Sequence, residues 1–335
     1  MKITLTVRGA AGNPHAALLQ IYFYIIMSRS RSSLPHSFLA GIQWILLLSL
    51  PQLLRPYWPA FISSVGEYRA NVYGNVAVSA GTLFVLNLWF YICYKMRFPS
   101  IEHYRISSKD WPWILSEKST PAEKEAARTF DTVVRRGLGL AVLNLAISIP
   151  LGAFSYDNVK ALGYSAAAET FPSAFVMALQ LVAFIIIEDA LFYTGHRMLH
   201  HPSIYAHVHK VHHAFTFSVS IAATATHPIE YIVSNVLPFV AGPTLLGAHC
   251  ATIYLWTLYR TAETVFHHSG YDFPFMLFNL LPFQGSAVEH DLHHSINTGN
   301  FGSMFTVWDS LLGTRIPVII AGASGANSKA AKKLS

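Results

Sequence analysis

Asp189 to His213 reads DALFYTGHRMLHHPSIYAHVHKVHH, and HDLHH answers it downstream at His290 to His294. Of the 17 histidines, only His15, His36 and His103 lie outside the window from His196 to His294. Inside it the spacings repeat. His196 and His200 are four apart, His209, His212 and His213 form H-x-x-H-H, and His290, His293 and His294 form it again. Helical positions i, i+3 and i+4 share a face, so each box is expected to aim its imidazoles at one point. Neutral imidazole is the commonest metal ligand. Eight such residues exceed the needs of one ion, so the spacing predicts two metals in one cage. A lone H-x-x-x-H is ordinarily a pair of locally satisfied side chains; three boxes together are not.

Composition sets the surroundings. Only 12% of the 335 residues are charged and 53% are hydrophobic, against about 25% charged in soluble domains. Mean hydropathy is +0.38. The expected fold is an all-α, polytopic membrane helical bundle with a cytosolic histidine-box cap. The net charge of +6 is scattered, and no nucleic-acid signature accompanies it. Cys93 and Cys250 form no C-x-x-C, which argues against disulfides and thiolate metal sites.

Four stretches approach the roughly 20 apolar residues of a membrane span: Phe38 to Leu54, Tyr73 to Tyr94, Gly137 to Phe154, and Pro172 to about Tyr193. A fifth, Tyr231 to Tyr259, is too long for one span; Gly242-Pro243 should break it into a hairpin or re-entrant pair. Arg29 and Arg31 precede the first span, and nine basic residues lie between Lys95 and Arg136. The positive-inside rule puts both on the cytosolic side, and two further crossings return His196 there. A hairpin that enters and leaves on one side brings His290 back to it. Residues 1–36 include the short apolar run Ala16 to Met27, and Met27 could be the true start; no function is assigned to them. The Ala/Gly/Ser/Lys-rich tail from Ala321 is expected to be disordered and ends Lys332-Lys333-Leu334-Ser335, a dilysine-like end resembling an endoplasmic-reticulum retrieval signal. The domain reading is therefore an N-terminal segment 1–36, spans and loop 37–188, a catalytic region 189–315 with the hairpin 231–259, and a tail 316–335.

Asp189, Tyr193, His196 and His200 make one helical stripe. Asp189 is read either as a carboxylate orienting a ligand histidine through its other ring nitrogen or as a helix-end charge reaching water. Glu188 should make a structural contact. His201, His207 and His267 fall off the ligand faces and should be solvated or hydrogen-bonding. Tyr193 and the isolated His227 are candidates for the pocket or for support behind the ligands, and His249 is left without a role. The all-histidine cage calls for a redox metal that activates oxygen, with iron first and zinc also compatible with the ligands. No G-x-G-x-x-G opens a βαβ unit, so reducing equivalents should come from another protein.

These residues resemble the fatty acid hydroxylase/sterol desaturase superfamily of membrane di-iron oxygenases, and within it the C4-methylsterol oxidases. The resemblance rests on D-x3-Y-x2-H-R-x2-H at Asp189 to His200, Y-x3-H-x2-H-H at Tyr205 to His213, Ala225 to Glu230, HSGYDFP at His268 to Pro274, the His290 box, and Gly299-Asn-Phe-Gly302. It covers Asp189 to Thr314 densely and the rest only in architecture. It implies that His268 joins the other eight as a ligand. Where related hydroxylases carry a His or Asn four residues earlier, this chain has Thr264, so water or another group would complete the cage. It further implies oxidation of a sterol C4 methyl group with molecular oxygen, electrons coming from NAD(P)H by way of a reductase and cytochrome b5. Sterol 25-hydroxylation and fatty-acyl or sphingoid hydroxylation or desaturation are the enzymatic rivals. A non-enzymatic zinc-binding membrane protein is the rival from another class.

Overall fold

The computed structural model describes residues 34–107 and 110–316. Ala16 to Met27, Arg29, Arg31 and the dilysine-like tail lie outside them. Among the described residues the chain is helical, with isolated bridges in place of strands. Helix α1 (Leu34–Leu54) continues through a tight turn into α2 (Trp58–Val65). Next come α3 (Asn75–Met96), α4 (Pro121–Ala161) and α5 (Ala174–Leu199). Among the described residues, four helical stretches are long and apolar enough to cross a membrane: Pro35–Val65, Glu67–Met96, Pro121–Ala161 and Ala174–Leu199. The first three contain the expected spans and overrun them, because the helix continues into polar flanks that hydropathy does not register; the fourth starts two residues after Pro172, where Ser173 caps it, and runs past Tyr193. Apolar side chains such as Phe84, Val142, Phe154 and Phe175 point outward, as lipid contact requires and water would penalise.

Local chemistry sets the helix ends. Thr120 and Glu123 form a capping box ahead of α4, with Pro121 at the first position. Ser173 caps α5 by accepting the N–H of Val176 at 3.3 Å. At 1.5 Å per residue, the 41-residue α4 is about 60 Å long, against about 30 Å of bilayer hydrocarbon. Its charged first turns therefore project beyond the membrane.

The fifth apolar region forms a hairpin of α6 (Leu237–Leu245) and α7 (Cys250–His267), with a π-helical entry Tyr231–Val236. The expected break at Gly242-Pro243 is corrected by the structure: the chain turns at residues 246–249, and Pro243 stays inside α6. A proline there leaves the carbonyl four residues earlier without its helical partner. Trp256 Nε1 of the returning helix donates to that Phe239 carbonyl at 3.1 Å, so the helix need not break. Gly242 permits close packing on α5, since a Cβ would fall 2.9 Å from Phe184. The turn comes where Gly247 takes φ +52°.

The hairpin runs the full depth of the bundle. At its tip, Cys250 N–H donates to Ser165 O at 2.8 Å, and His249 Nε2 lies 3.1 Å from Ala167 O, in the loop between α4 and α5. His249 thus has partners after all, capping α7 through the Ala251 N–H. The other end gathers the histidine boxes. There Trp44 Nε1 donates to Leu277 O, Tyr94 Oη donates to Ser269 O, and Ile106 N–H donates to Gly270 O. The basic loop after α3 therefore shares an end with the boxes.

Candidate metal centre

His196 sits in the last turn of α5 and His200 caps it. His209, His212 and His213 lie on a 3-10 turn, His209–Ala214, and His268 caps α7. His290, His293 and His294 lie on α8 (Ala287–Ile296), started by a Ser286–Glu289 capping box. All nine nominated histidines come together, in two groups. His196, His200, His209, His213 and His293 form one; His212, His268, His290 and His294 form the other; within each, the ligand atoms lie within 4.8 Å of one another. The groups share a wall, with the His213 and His294 rings 4.7 Å apart between centroids.

The boxes do not each serve one point, as spacing predicted. His209 and His213 enter the five-histidine group while His212 turns to the other; His290 and His294 enter the four-histidine group while His293 crosses back. In each H-x-x-H-H box, then, the i and i+4 members share a group and the i+3 member joins the opposite one. This interleaving holds the groups side by side.

Acceptors behind the rings set the tautomers. His196 Nδ1 donates to Phe301 O at 2.8 Å, His293 Nδ1 to Gly299 O at 2.6 Å, and His268 Nδ1 to Thr264 O at 2.8 Å. Buried Glu230 places Oε1 2.9 Å from His209 Nδ1. A proton on Nδ1 leaves Nε2 as the free lone pair. Those lone pairs face each other: His196 and His209 Nε2 are 3.1 Å apart, His213 and His209 3.0 Å, His290 and His268 2.8 Å, and His294 and His290 3.1 Å. Nε2 of His200 and of His293 is buried without a partner. Inward acceptors with no donor between them fit a cation in each group. Protonation is suppressed as well. Burial holds His200 and His268 down to about 4, and burial with His200 nearby holds His293 down to about 3. Burial and mutual repulsion push His212, His290 and His294 further below the usual imidazole range.

Asp189 does not act as read from sequence. Its Oδ1 accepts the backbone N–H groups of Met304 at 2.8 Å and Phe305 at 3.0 Å rather than a ring N–H. Asp309, in α9 (Val307–Leu311), accepts from Phe301 and Gly302, both at 2.8 Å. The two carboxylates thus clamp the loop whose carbonyls hold His196 and His293. Tyr193 Oη lies 2.9 Å from Thr314 Oγ1, which donates to Asp309 at 2.7 Å, so Tyr193 braces the same loop. His227 belongs to neither group; its Nδ1 accepts from Ile229 N–H and caps a short turn. The residue of that element that reaches the cage is Glu230, three positions on, and sequence reasoning quoted it without choosing it. Its signal was its isolation, since no other Asp, Glu, Lys or Arg lies between Lys210 and Arg260.

Behind the four-histidine group, Arg260 is buried between Glu188 Oε1 at 2.9 Å and Glu263 Oε2 at 2.6 Å. Glu263 Oε1 also lies 2.9 Å from His267 Nδ1, so His267 is buried and partnered rather than solvated. Thr264 bonds Arg260 through its side chain and His268 through its carbonyl. His201 is exposed, its Nδ1 2.6 Å from Ser203 Oγ.

The family model for fatty acid hydroxylase matches residues 181–314, a span holding all nine histidines. A putative methylsterol monooxygenase of Dictyostelium discoideum is 33% identical over 264 residues, 78% of this chain and 91% of that protein. Methylsterol monooxygenase 2-2 of Arabidopsis thaliana is 30% identical over 260 residues, 77% of this chain and 90% of that protein. The very-long-chain aldehyde decarbonylase GL1-8 of Oryza sativa subsp. indica is 37% identical over 264 residues, 78% of this chain and 91% of that protein. No solved structure matches the chain. Alignments of this length and a matching histidine region establish that the chain belongs to the fatty acid hydroxylase family.

Proposed function

We propose that this protein is a membrane-bound, oxygen-dependent oxidoreductase that oxidises the C4 methyl group of sterol precursors. The observation that carries the reading is the pair of adjoining groups of inward-facing imidazole lone pairs, in a chain related along most of its length to methylsterol monooxygenases. The metal is iron, held by His196, His200, His209, His213 and His293 in one group and by His212, His268, His290 and His294 in the other. Bound there, paired iron supplies the oxygen-activating chemistry that an unactivated C–H bond requires.

The chain's own residues prepare the site. The carbonyls of Phe301, Gly299 and Thr264 fix three ring tautomers, so that Nε2 faces inward before any ion arrives, and Glu230 stands 2.9 Å from Nδ1 of His209. Asp189 and Asp309 hold the carbonyl-bearing loop. Phe301 packs on His200 with centroids 4.9 Å apart, and Phe192 lies 5.2 Å from His196, excluding water from the five-histidine side. The spans present an apolar approach for a lipid, and residues 189–315 form the catalytic unit.

The cage and the basic loop face the cytosol, and the membrane is that of the endoplasmic reticulum. The end shared by the loop and the cage supports the cytosolic placement. Electrons come from cytochrome b5 and its NAD(P)H-dependent reductase. A second reading, cleavage of the carbonyl carbon from a very-long-chain aldehyde to leave an alkane and a one-carbon product, is favoured by the 37% identity to the rice decarbonylase. Expression in a host lacking C4-methylsterol oxidation, with sterols and hydrocarbons measured by mass spectrometry, separates the two. Oxygen-dependent loss of 4-methylsterols supports the first; unchanged 4-methylsterols with new alkanes from supplied aldehydes support the second.

A further inference from the structure

The two histidine groups differ in what stands behind them. In the five-histidine group, buried Glu230 lies 2.9 Å from His209 Nδ1, and His293 and His196 donate to the Gly299 and Phe301 carbonyls. Those carbonyls sit on a loop clamped by Asp189 and Asp309. The four-histidine group is less supported. His268 has the Thr264 carbonyl, but Nδ1 of His212 and of His294 is buried without a hydrogen-bond partner and with no carboxylate beside it; in the larger group His209 and His213 also lack a hydrogen bond there, but His209 has the Glu230 carboxylate at 2.9 Å. The carboxylate of Glu263, whose field reaches His268, is neutralised by Arg260 at 2.6 Å. His290 also lines a small cleft with Ser286, Glu289, Asn300 and Ser303, whereas no member of the five-histidine group lines it.

A carboxylate behind a ligand imidazole raises its basicity and lowers the cost of orienting it, an effect of about 10–100-fold in metal affinity. The five-histidine group has that carboxylate, one more imidazole and a braced loop. We infer that the two positions are unequal: the five-histidine group takes its ion first and retains it, and the four-histidine group loads last and exchanges. This rests on the metal-centre reading above.

The test is anaerobic titration of chelator-stripped, full-length protein in nanodiscs with Co(II), followed by visible absorption and metal analysis. Two phases of one equivalent each are expected, with affinities at least about 10-fold apart. His290→Ala should keep the first phase and lose the second. Glu230→Gln keeps an oxygen opposite His209 but removes the charge, and should weaken the first phase by about 10–100-fold. A single phase of two equal equivalents, a Glu230→Gln effect confined to the second phase, or loss of the first phase in His290→Ala would each overturn the inference. Because no turnover is read, ordered loading without sterol oxidation would remove only the substrate assignment. Failure to bind any ion would remove both.

Discussion

Asp189 Oδ1 accepts the backbone N–H of Met304 at 2.8 Å across 115 residues of sequence. The same oxygen takes Phe305 N–H, so one carboxylate in a membrane-spanning helix positions the loop that orients His196 and His293. Asp189→Ala leaves two buried donors without an acceptor, at about 1–3 kcal/mol each. Purified Asp189→Ala should hold less than half the wild-type metal and unfold at lower temperature, while Asp189→Asn, which keeps an acceptor oxygen, should hold most of it. Wild-type metal content in Asp189→Ala would refute this role.

His212 and His293 lie in different groups, so each tests one ion position. Either residue changed to Ala should lower sterol oxidation by more than the roughly 10–100-fold typical of groups behind the ligands. The variant should remain in the membrane fraction. Rescue of a host deficient in C4-methylsterol oxidation, scored alongside immunoblots of that fraction, reads both. Full rescue by either variant would remove that residue from the ligand set.

Arg260 bridges Glu188 of α5 and Glu263 of α7 in the bundle interior. Arg260→Met removes the cation shared by two buried carboxylates, leaving Glu188 without a charge partner and Glu263 with His267 alone, at about 3–5 kcal/mol. Adding Glu188→Gln and Glu263→Gln removes the stranded charges and should restore much of the loss. Thermal unfolding in detergent compares the variants, and equal transitions for Arg260→Met and wild type would show that the network contributes nothing.

Acid should weaken the metal-free protein first. His200 and His268 stay neutral in the fold down to about 4, and His293 down to about 3, whereas an unfolded imidazole binds a proton near pH 6.5, roughly. Between these values the unfolded chain binds more protons, so stability falls as pH drops through about 6.5 towards 4. Chelator-stripped protein should therefore lose unfolding free energy from pH 7 to pH 5. A flat profile would contradict the neutral, buried cage.

Much of this was legible in the sequence because both periodicities involved are short. The apolar runs revealed the spans, and histidine spacing revealed eight of the nine clustered rings. His268 was found by family resemblance alone, since His267 beside it offers the same imidazole and only the end of α7 decides which ring turns inward. The split of each H-x-x-H-H box was hidden for a related reason: it is the same on the 3-10 turn of His209–Ala214 and on the α-helix of His290 to His294, so local helix type does not set it, and only the packing of the two boxes against each other sends the i+3 ring to the opposite group. Asp189 stood out in the sequence as a carboxylate that could orient a ligand ring, but its partners are main-chain N–H groups of residues 304 and 305. No residue type announces such contacts. The hairpin turn was misplaced because the rescue of Pro243 depends on Trp256, thirteen residues later and on another helix.

The interleaving has a consequence for biosynthesis. His293 completes one group, and His290 and His294 complete the other. A ribosome that has made every earlier ring has therefore finished neither binding position. Metal insertion in this protein must follow synthesis of α8, after the spans and the hairpin that precede it have already emerged from the translating machinery.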